Sequence, residues 1–230
     1  MGRQIMLGNP PIAVDVRQSA RARRLSLRVS RLDGKVSLTM PPYASEKQAV
    51  AFLEEREDWL RKHHSKVEPA LVPRIGGTVL FRGQDVPIVG ADLRRATFRD
   101  DAILVPQDGQ ATGAKIKAFL KLAARDALAM ASDDYAQGIG KRYTRMSLRD
   151  TRSRWGSCSH QGVLMYSWRL IMAPPAVLDY VAAHEVSHLA EMNHSPAFWN
   201  IVESLMPDYK LHRGWLRKNG AALHRVSFDD

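Results

Sequence analysis

The chain has a single cysteine, Cys158, among 230 residues. No disulfide can form within it, and its stability must come from packing, which suits a compartment that keeps thiols reduced. Long apolar runs are missing too. The nearest candidates are broken by Pro174, Pro175 or Asp179, well short of the roughly 20 residues that a membrane-spanning helix needs. The opening MGRQIMLGNPPIAVDV carries Pro10, Pro11 and charges where a signal peptide would carry its apolar centre. The expectation is a cytoplasmic protein with no membrane-embedded part. Apolar residues make up 45% and charged residues 25%, which excludes a mostly disordered chain. Acid is scarce relative to base: 34 Lys and Arg against 24 Asp and Glu leave a surplus of +10. Such a surplus attracts polyanions, whether nucleic acid, nucleotides or acidic peptides. Arg17, Arg21, Arg23, Arg24, Arg28 and Arg31 all precede Asp33, with no reader motif that would single out one polyanion.

Alternating apolar and polar residues in RRLSLRVSRLDGKVSLTM, residues 23–40, predict a β-hairpin about the Asp33-Gly34 dipeptide, which suits a type I′ turn. Ser45 can cap a helix reaching about Lys62, with Val50, Leu53, Trp59 and Leu60 among its apolar positions. HSKVEPALVPRIGG reads as a linker. Short apolar runs from Thr78 to Pro106, separated by Gly83, Gly90 and Asp100-Asp101, predict a small antiparallel sheet. A long helix is expected over 114–136. After the turn-rich RSRWGSCSHQG, a strand should hold Leu164, Tyr166, Trp168 and Leu170 on one face. Pro174 and Pro175 then suit the first turn of a helix to about Glu191, and Ser195-Pro196 starts another that Pro207 ends.

The sequence HEVSH, His184 to His188, lies inside the first of those helices. Residues four apart are about 400° round a helix, so both imidazoles leave one face a turn apart and can share a metal. Zinc, one per chain, is the metal expected, because it accepts neutral imidazole and, with three protein ligands, keeps a fourth position for water. Glu185, about 100° further round, is placed to take a proton from that water. His194 is the third ligand only if the helix stops after His188, since six more helical residues would turn it about 120° off the metal face. Asn193, tolerant of a left-handed helix end, and the new start at Ser195-Pro196 supply the stop. A chain of this composition contains such a pentapeptide by chance about one time in a hundred.

The runs RSRWGSCS, YVAAHEVSHL and NHSPAFW followed by MPDY resemble the YgjP-like metallopeptidase family, itself similar to SprT-like and other minimal zincins. The resemblance implies His184, His188 and His194 as metal ligands and Glu185 as the catalytic base. The ligand spacing equals that of metzincins, but Glu191 occupies their glycine position and no Met-turn is present, so the chain is not read as one. In related zincins an acid from the following helix completes the site, which makes Glu203 the reserve ligand.

Arg152, Arg154 and Trp155 stand beside Gly156, whose missing side chain allows a tight turn or a close backbone approach, and form either a substrate-binding wall or a packed indole with solvated arginines. Cys158 reads as a small buried hydrophobe, Phe198 and Trp199 as core residues bracing two helices, and Tyr166, Tyr209 and His212 as possible oxyanion partners. His63, His64, His160 and His224 read as surface histidines. The fold expected is α+β, with a β-rich N-terminal region containing one helix (1–108) and a mostly helical, minimal zincin-like catalytic region (109–230) forming one compact unit. The activity expected is zinc-dependent hydrolysis of a peptide or protein. The alternatives are a zinc-dependent phosphoanhydride hydrolase acting on nucleotides, and a nucleic-acid-associated zinc protein or protease.

Overall fold

The proline-bearing stretch from His64 to Gly77 contains the point, between Ala70 and Leu71, at which the chain passes from one packed unit to another. The computed structural model describes residues 3–30, 34–65 and 70–228.

The first unit opens with β1 (Arg3–Leu7) and β2 (Ile12–Gln18), an antiparallel pair that the sequence reading did not anticipate. The alternation in β2 is short: Ile12 and Val14 are buried while Ala13 and Asp15 face out. The expected hairpin is present as β3 (Ser26–Val29) and β4 (Val36–Met40). Its turn differs from the expected two-residue type. Ser30 N–H donates to the Lys35 carbonyl, so the connection between the strands spans the six positions 30–35, and Gly34 takes a left-handed conformation at φ 68°. Asp33 lies outside the described residues. β4 also pairs with β2 in parallel, giving the order β1-β2-β4-β3. Ser45 does cap the next helix, in a capping box with Gln48, but the helix is interrupted at Arg56 into α1 (Glu46–Glu55) and α2 (Glu57–His64). Ala49, Leu53 and Leu60 join Leu7, Val14, Val36 and Leu38 in one apolar cluster, each buried leucine contributing ~1.5–3 kcal/mol. Trp59, expected on the apolar side, is 41% exposed.

In the second unit β5 (Thr78–Phe81), β6 (Gln84–Ala91), β7 (Thr97–Arg99) and β8 (Ala102–Pro106) form a sheet of order β5-β6-β8-β7. It is mixed rather than wholly antiparallel. β7 and β8 are joined through Asp100 and Asp101, both at positive φ, and this returns β8 alongside β6 in parallel. α3 (Thr112–Gly138) buries Ile116, Leu120, Ala124, Leu128 and Ala131 at helical spacing. β9 (Arg145–Arg149), β10 (Gly156–Cys158) and β11 (Val163–Ser167) make a second sheet of order β10-β11-β9. The strand expected to run on through Leu170 stops at Ser167. Trp168–Met172 is a 3-10 turn, although Leu164, Tyr166, Trp168 and Leu170 are all fully buried.

α4 (Pro175–Ser187), α5 (Pro196–Leu205) and α6 (Tyr209–Asn219) complete the unit with a short 3-10 turn, Gly220–His224. α4 touches α3, α5, α6, β10 and the Trp168–Met172 turn, and nine of its thirteen residues are buried, as a helix enclosed on all sides requires. Buried Arg169 binds Asp150 at 2.7 and 3.2 Å and donates to the carbonyls of Leu223 and Val226, which fixes the chain entering RSRWGSC to the C-terminal turn. No helix among the described residues is long and apolar enough to cross a membrane.

Candidate metal centre

α4 ends at Ser187, earlier than expected, because Glu191 N–H turns back to the Ser187 carbonyl and Leu189 N–H to that of Val186. His188 is therefore the C-cap residue, still in helical conformation. Its Nδ1 lies 2.9 Å from the Glu191 carbonyl oxygen. A carbonyl can only accept, so Nδ1 carries the proton and Nε2 keeps its lone pair for a cation. The helix does stop between His188 and His194, but not by the means expected of Asn193, which is not among the positive-φ residues. Instead its Oδ1 accepts from Ser195 N–H at 2.9 Å, an Asx turn. The Ser195 hydroxyl then accepts from Phe198 N–H to start α5. His194 is the exposed residue just before that cap.

One nitrogen from each of His184, His188 and His194 lies within 4.8 Å of the other two, and no further His, Cys, Asp or Glu joins this group among the described residues. The ring centroids stand 4.8–5.1 Å apart, and His184 Nε2 faces His194 Nε2 at 3.1 Å. Three convergent imidazoles are the donor set of a zinc site that retains one open position. Phe198 touches all three rings, at 4.4 Å from His188, 4.8 Å from His194 and 4.9 Å from His184. His184 Nδ1 is buried with no hydrogen-bond partner among the described residues, so packing against Phe198, Tyr180 and Trp199 orients this imidazole. Burial pushes the His184 pKa down to about 3, helped by the neighbouring His188, His194 and Arg213. Burial also lowers that of His188, against the raising effect of its Glu191 hydrogen bond. His184 is therefore neutral, and able to bind a cation, well into acid.

Glu185 projects from the same turn of α4 but is buried. Burial pushes its pKa up to about 8, with Arg154 acting in the opposite direction. It packs on β10: a Cβ added to Gly156 would sit 2.5 Å from Glu185 Cγ and Oε1. The close approach expected at Gly156 is thus that of the carboxylate. A groove of about 500 Å³ runs past these groups, lined also by Ser153, Arg154, Ser157, Cys158 and Met192. Cys158 is half-buried, its thiol pushed up to about 11 by burial and by Glu185.

The remaining candidates separate. Arg154 lines the groove, while Arg152 and Trp155 do not. Trp155 packs against Gly220 and against the ring of His224 at 5.0 Å. Glu203 is exposed and paired with Lys210 at 3.5 Å. Tyr166 is hydrogen-bonded to Ser132, Tyr209 stacks on Trp199, and His212 binds Asp208; none of the three lines the groove. His224, read as a surface histidine, is half-buried on Trp155. The sequence reading placed Phe198 and Trp199 in the core without linking them to the imidazoles. It missed Arg213, whose guanidinium lies 4.6 Å from the Trp199 ring.

The family model described as YgjP-like, metallopeptidase domain, matches residues 23–219. Among solved structures, the crystal structure of the metallopeptidase zymogen of Pyrococcus abyssi abylysin is similar to 41% of this chain and 93% of its own, at 22% identity and a TM-score of 0.35. No curated protein matches the chain.

Proposed function

The chain belongs to the YgjP-like metallopeptidase family, and from that premise we propose that it hydrolyses peptide bonds with one zinc per chain, held by His184, His188 and His194, and with Glu185 as general base. The observation that carries the assignment is the convergence of three imidazoles within 4.8 Å beside a buried carboxylate. Bound there, zinc would supply a Lewis acid that acidifies water and polarises a carbonyl. Glu185 accepts the proton of the attacking water at its carboxylate and returns it to the leaving amine. Phe198 shields the imidazoles, and the His188–Glu191 hydrogen bond holds one in its binding tautomer.

β10 pairs on one side, with β11, so an extended peptide can add to its other edge, next to Glu185. This favours a peptide or protein substrate. A nucleotide phosphoanhydride draws support from Arg154 alone. The single free cysteine supports a cytoplasmic location. Elemental analysis tests the ligand set: His184→Ala, His188→Ala and His194→Ala should each lose most of the zinc, while Glu203→Ala keeps it. Full zinc in His194→Ala with loss in Glu203→Ala would assign a His-His-Glu site instead.

A further inference from the structure

Residues 1–70 carry 13 Lys and Arg against 8 Asp and Glu, so less than a third of the chain holds five of its ten surplus positive charges. The surplus is uneven even there, since Asp15 and Asp33 enclose six arginines and no acid. Beside this arginine segment is a groove of about 520 Å³ lined by Arg24, Leu25, Ser26 and Leu27 on one side and by Phe52, Arg56 and Trp59 on the other. Trp59 is 41% exposed. His63 stacks on it with ring centroids 4.2 Å apart, held in place because its Nδ1 donates to the Trp59 carbonyl at 2.7 Å. Tyr43, 77% exposed, donates its hydroxyl to the Arg23 carbonyl and so anchors the arginine segment beside the groove.

We propose that this groove of the N-terminal unit binds single-stranded nucleic acid, with a base stacked on Trp59 and the phosphates of neighbouring nucleotides held by Arg24 and Arg56. The chemistry fits that occupant. A lone basic patch would attract any polyanion, but an exposed indole that shares its groove with two guanidinium groups, one of them, Arg56, in a solvent-exposed pair with Glu55 at 3.2 Å that a phosphate can displace, suits an unpaired base joined to phosphates. Duplex bases are stacked within the helix and cannot reach the indole. A second copy of the same basic unit would be repelled. The proposal is independent of the substrate assigned to the metal centre.

The test uses the full chain and a fluorescent thymidine oligonucleotide, with a duplex of equal length and a polyglutamate peptide as competitors. Binding should weaken steeply with salt, and an unlabelled single strand should compete better than duplex or peptide. Trp59→Ala should weaken binding about tenfold while leaving the salt dependence intact. The Arg24→Ala/Arg56→Ala double variant should weaken binding and also flatten the slope of log affinity on log salt, by about 0.7 for each phosphate no longer neutralised. Trp59→Phe, which keeps a stacking ring, should restore most of the affinity, and circular dichroism should report the same fold for every variant. Equal affinity of wild type and both alanine variants would overturn the proposal. So would displacement by polyglutamate as effective as by the single strand, which would mark the groove as a site for acidic protein.

Discussion

Glu185 is an acid whose burial opposes its own ionisation, and that has a measurable consequence before any substrate is added. Its folded pKa is raised to about 8, against about 4.3 for an unfolded glutamate. Below pH 4 both states are protonated and the group is neutral to stability. As pH rises through the window between the two values, the unfolded chain releases its proton first and the metal-free fold loses stability. Glu185→Gln has no proton to release. In chelated protein it should therefore exceed wild type in stability by an amount that grows from near zero at pH 4 to on the order of 5 kcal/mol above pH 8. Thermal melts across pH read this directly, and a constant difference would contradict the burial of an ionisable carboxyl. Gly156 is the complementary residue. With Glu185 2.5 Å from where its Cβ would lie, Gly156→Ala must displace either β10 or the carboxylate. The expectation is a loss of ~1–3 kcal/mol and a large fall in hydrolysis with zinc content retained. Unchanged turnover would mean that the contact does not set the position of the base. The HExxH spacing makes the roles of His184, Glu185 and His188 legible in sequence, because helix geometry alone decides which side chains share a face. That Gly156 should permit a close approach was also legible. Its partner was not, since contact between β10 and α4 depends on how two distant segments pack.

Between α4 and α5 the chain reverses within a few residues, and this turn brings His194 back to the other two imidazoles. The need for a break could be read from the ligand spacing, but its construction could not. The expected agent, a left-handed Asn193, is replaced by a side-chain acceptor for Ser195 N–H, a choice decided by local geometry that residue type leaves open. The same limit explains the strand that becomes a 3-10 turn at Trp168 and the helix that breaks at Arg56. At Trp168 the burial pattern was legible and the backbone class was not; around Arg56 the burial of Leu53 and Leu60 was legible, but the break and the exposure of Trp59 were not. Phe198, at the start of α5, links the turn to all three imidazoles. Phe198→Leu preserves an apolar contact with a different shape, and should lower zinc affinity about tenfold with a modest decrease in stability. Calorimetric zinc titration checks this. Unaltered affinity would show that the Asn193 and Ser195 hydrogen bonds hold His194 unaided.

At the scale of the whole molecule, the two units carry different chemistry. The second encloses the HExxH helix among α3, α5, α6 and β10, where imidazoles can be kept neutral and a carboxylate kept from solvent. The first presents guanidinium and indole groups to solvent. The sequence reading anticipated the α+β class and a β-rich first half. It did not find the β1–β2 pair, whose apolar alternation is short, or the parallel strand pairings, whose partners lie far apart in sequence and leave no periodic trace. The central claim is that three imidazoles and Glu185 make a zinc-dependent peptidase centre. The most direct test titrates zinc back into chelated wild type and Glu185→Gln while following cleavage of an unfolded protein. Both should bind one zinc per chain, wild-type cleavage should saturate at that ratio, and Glu185→Gln should remain at least about a hundredfold slower. Full peptide cleavage by zinc-loaded Glu185→Gln, or cleavage by wild type that is indifferent to zinc, would contradict it.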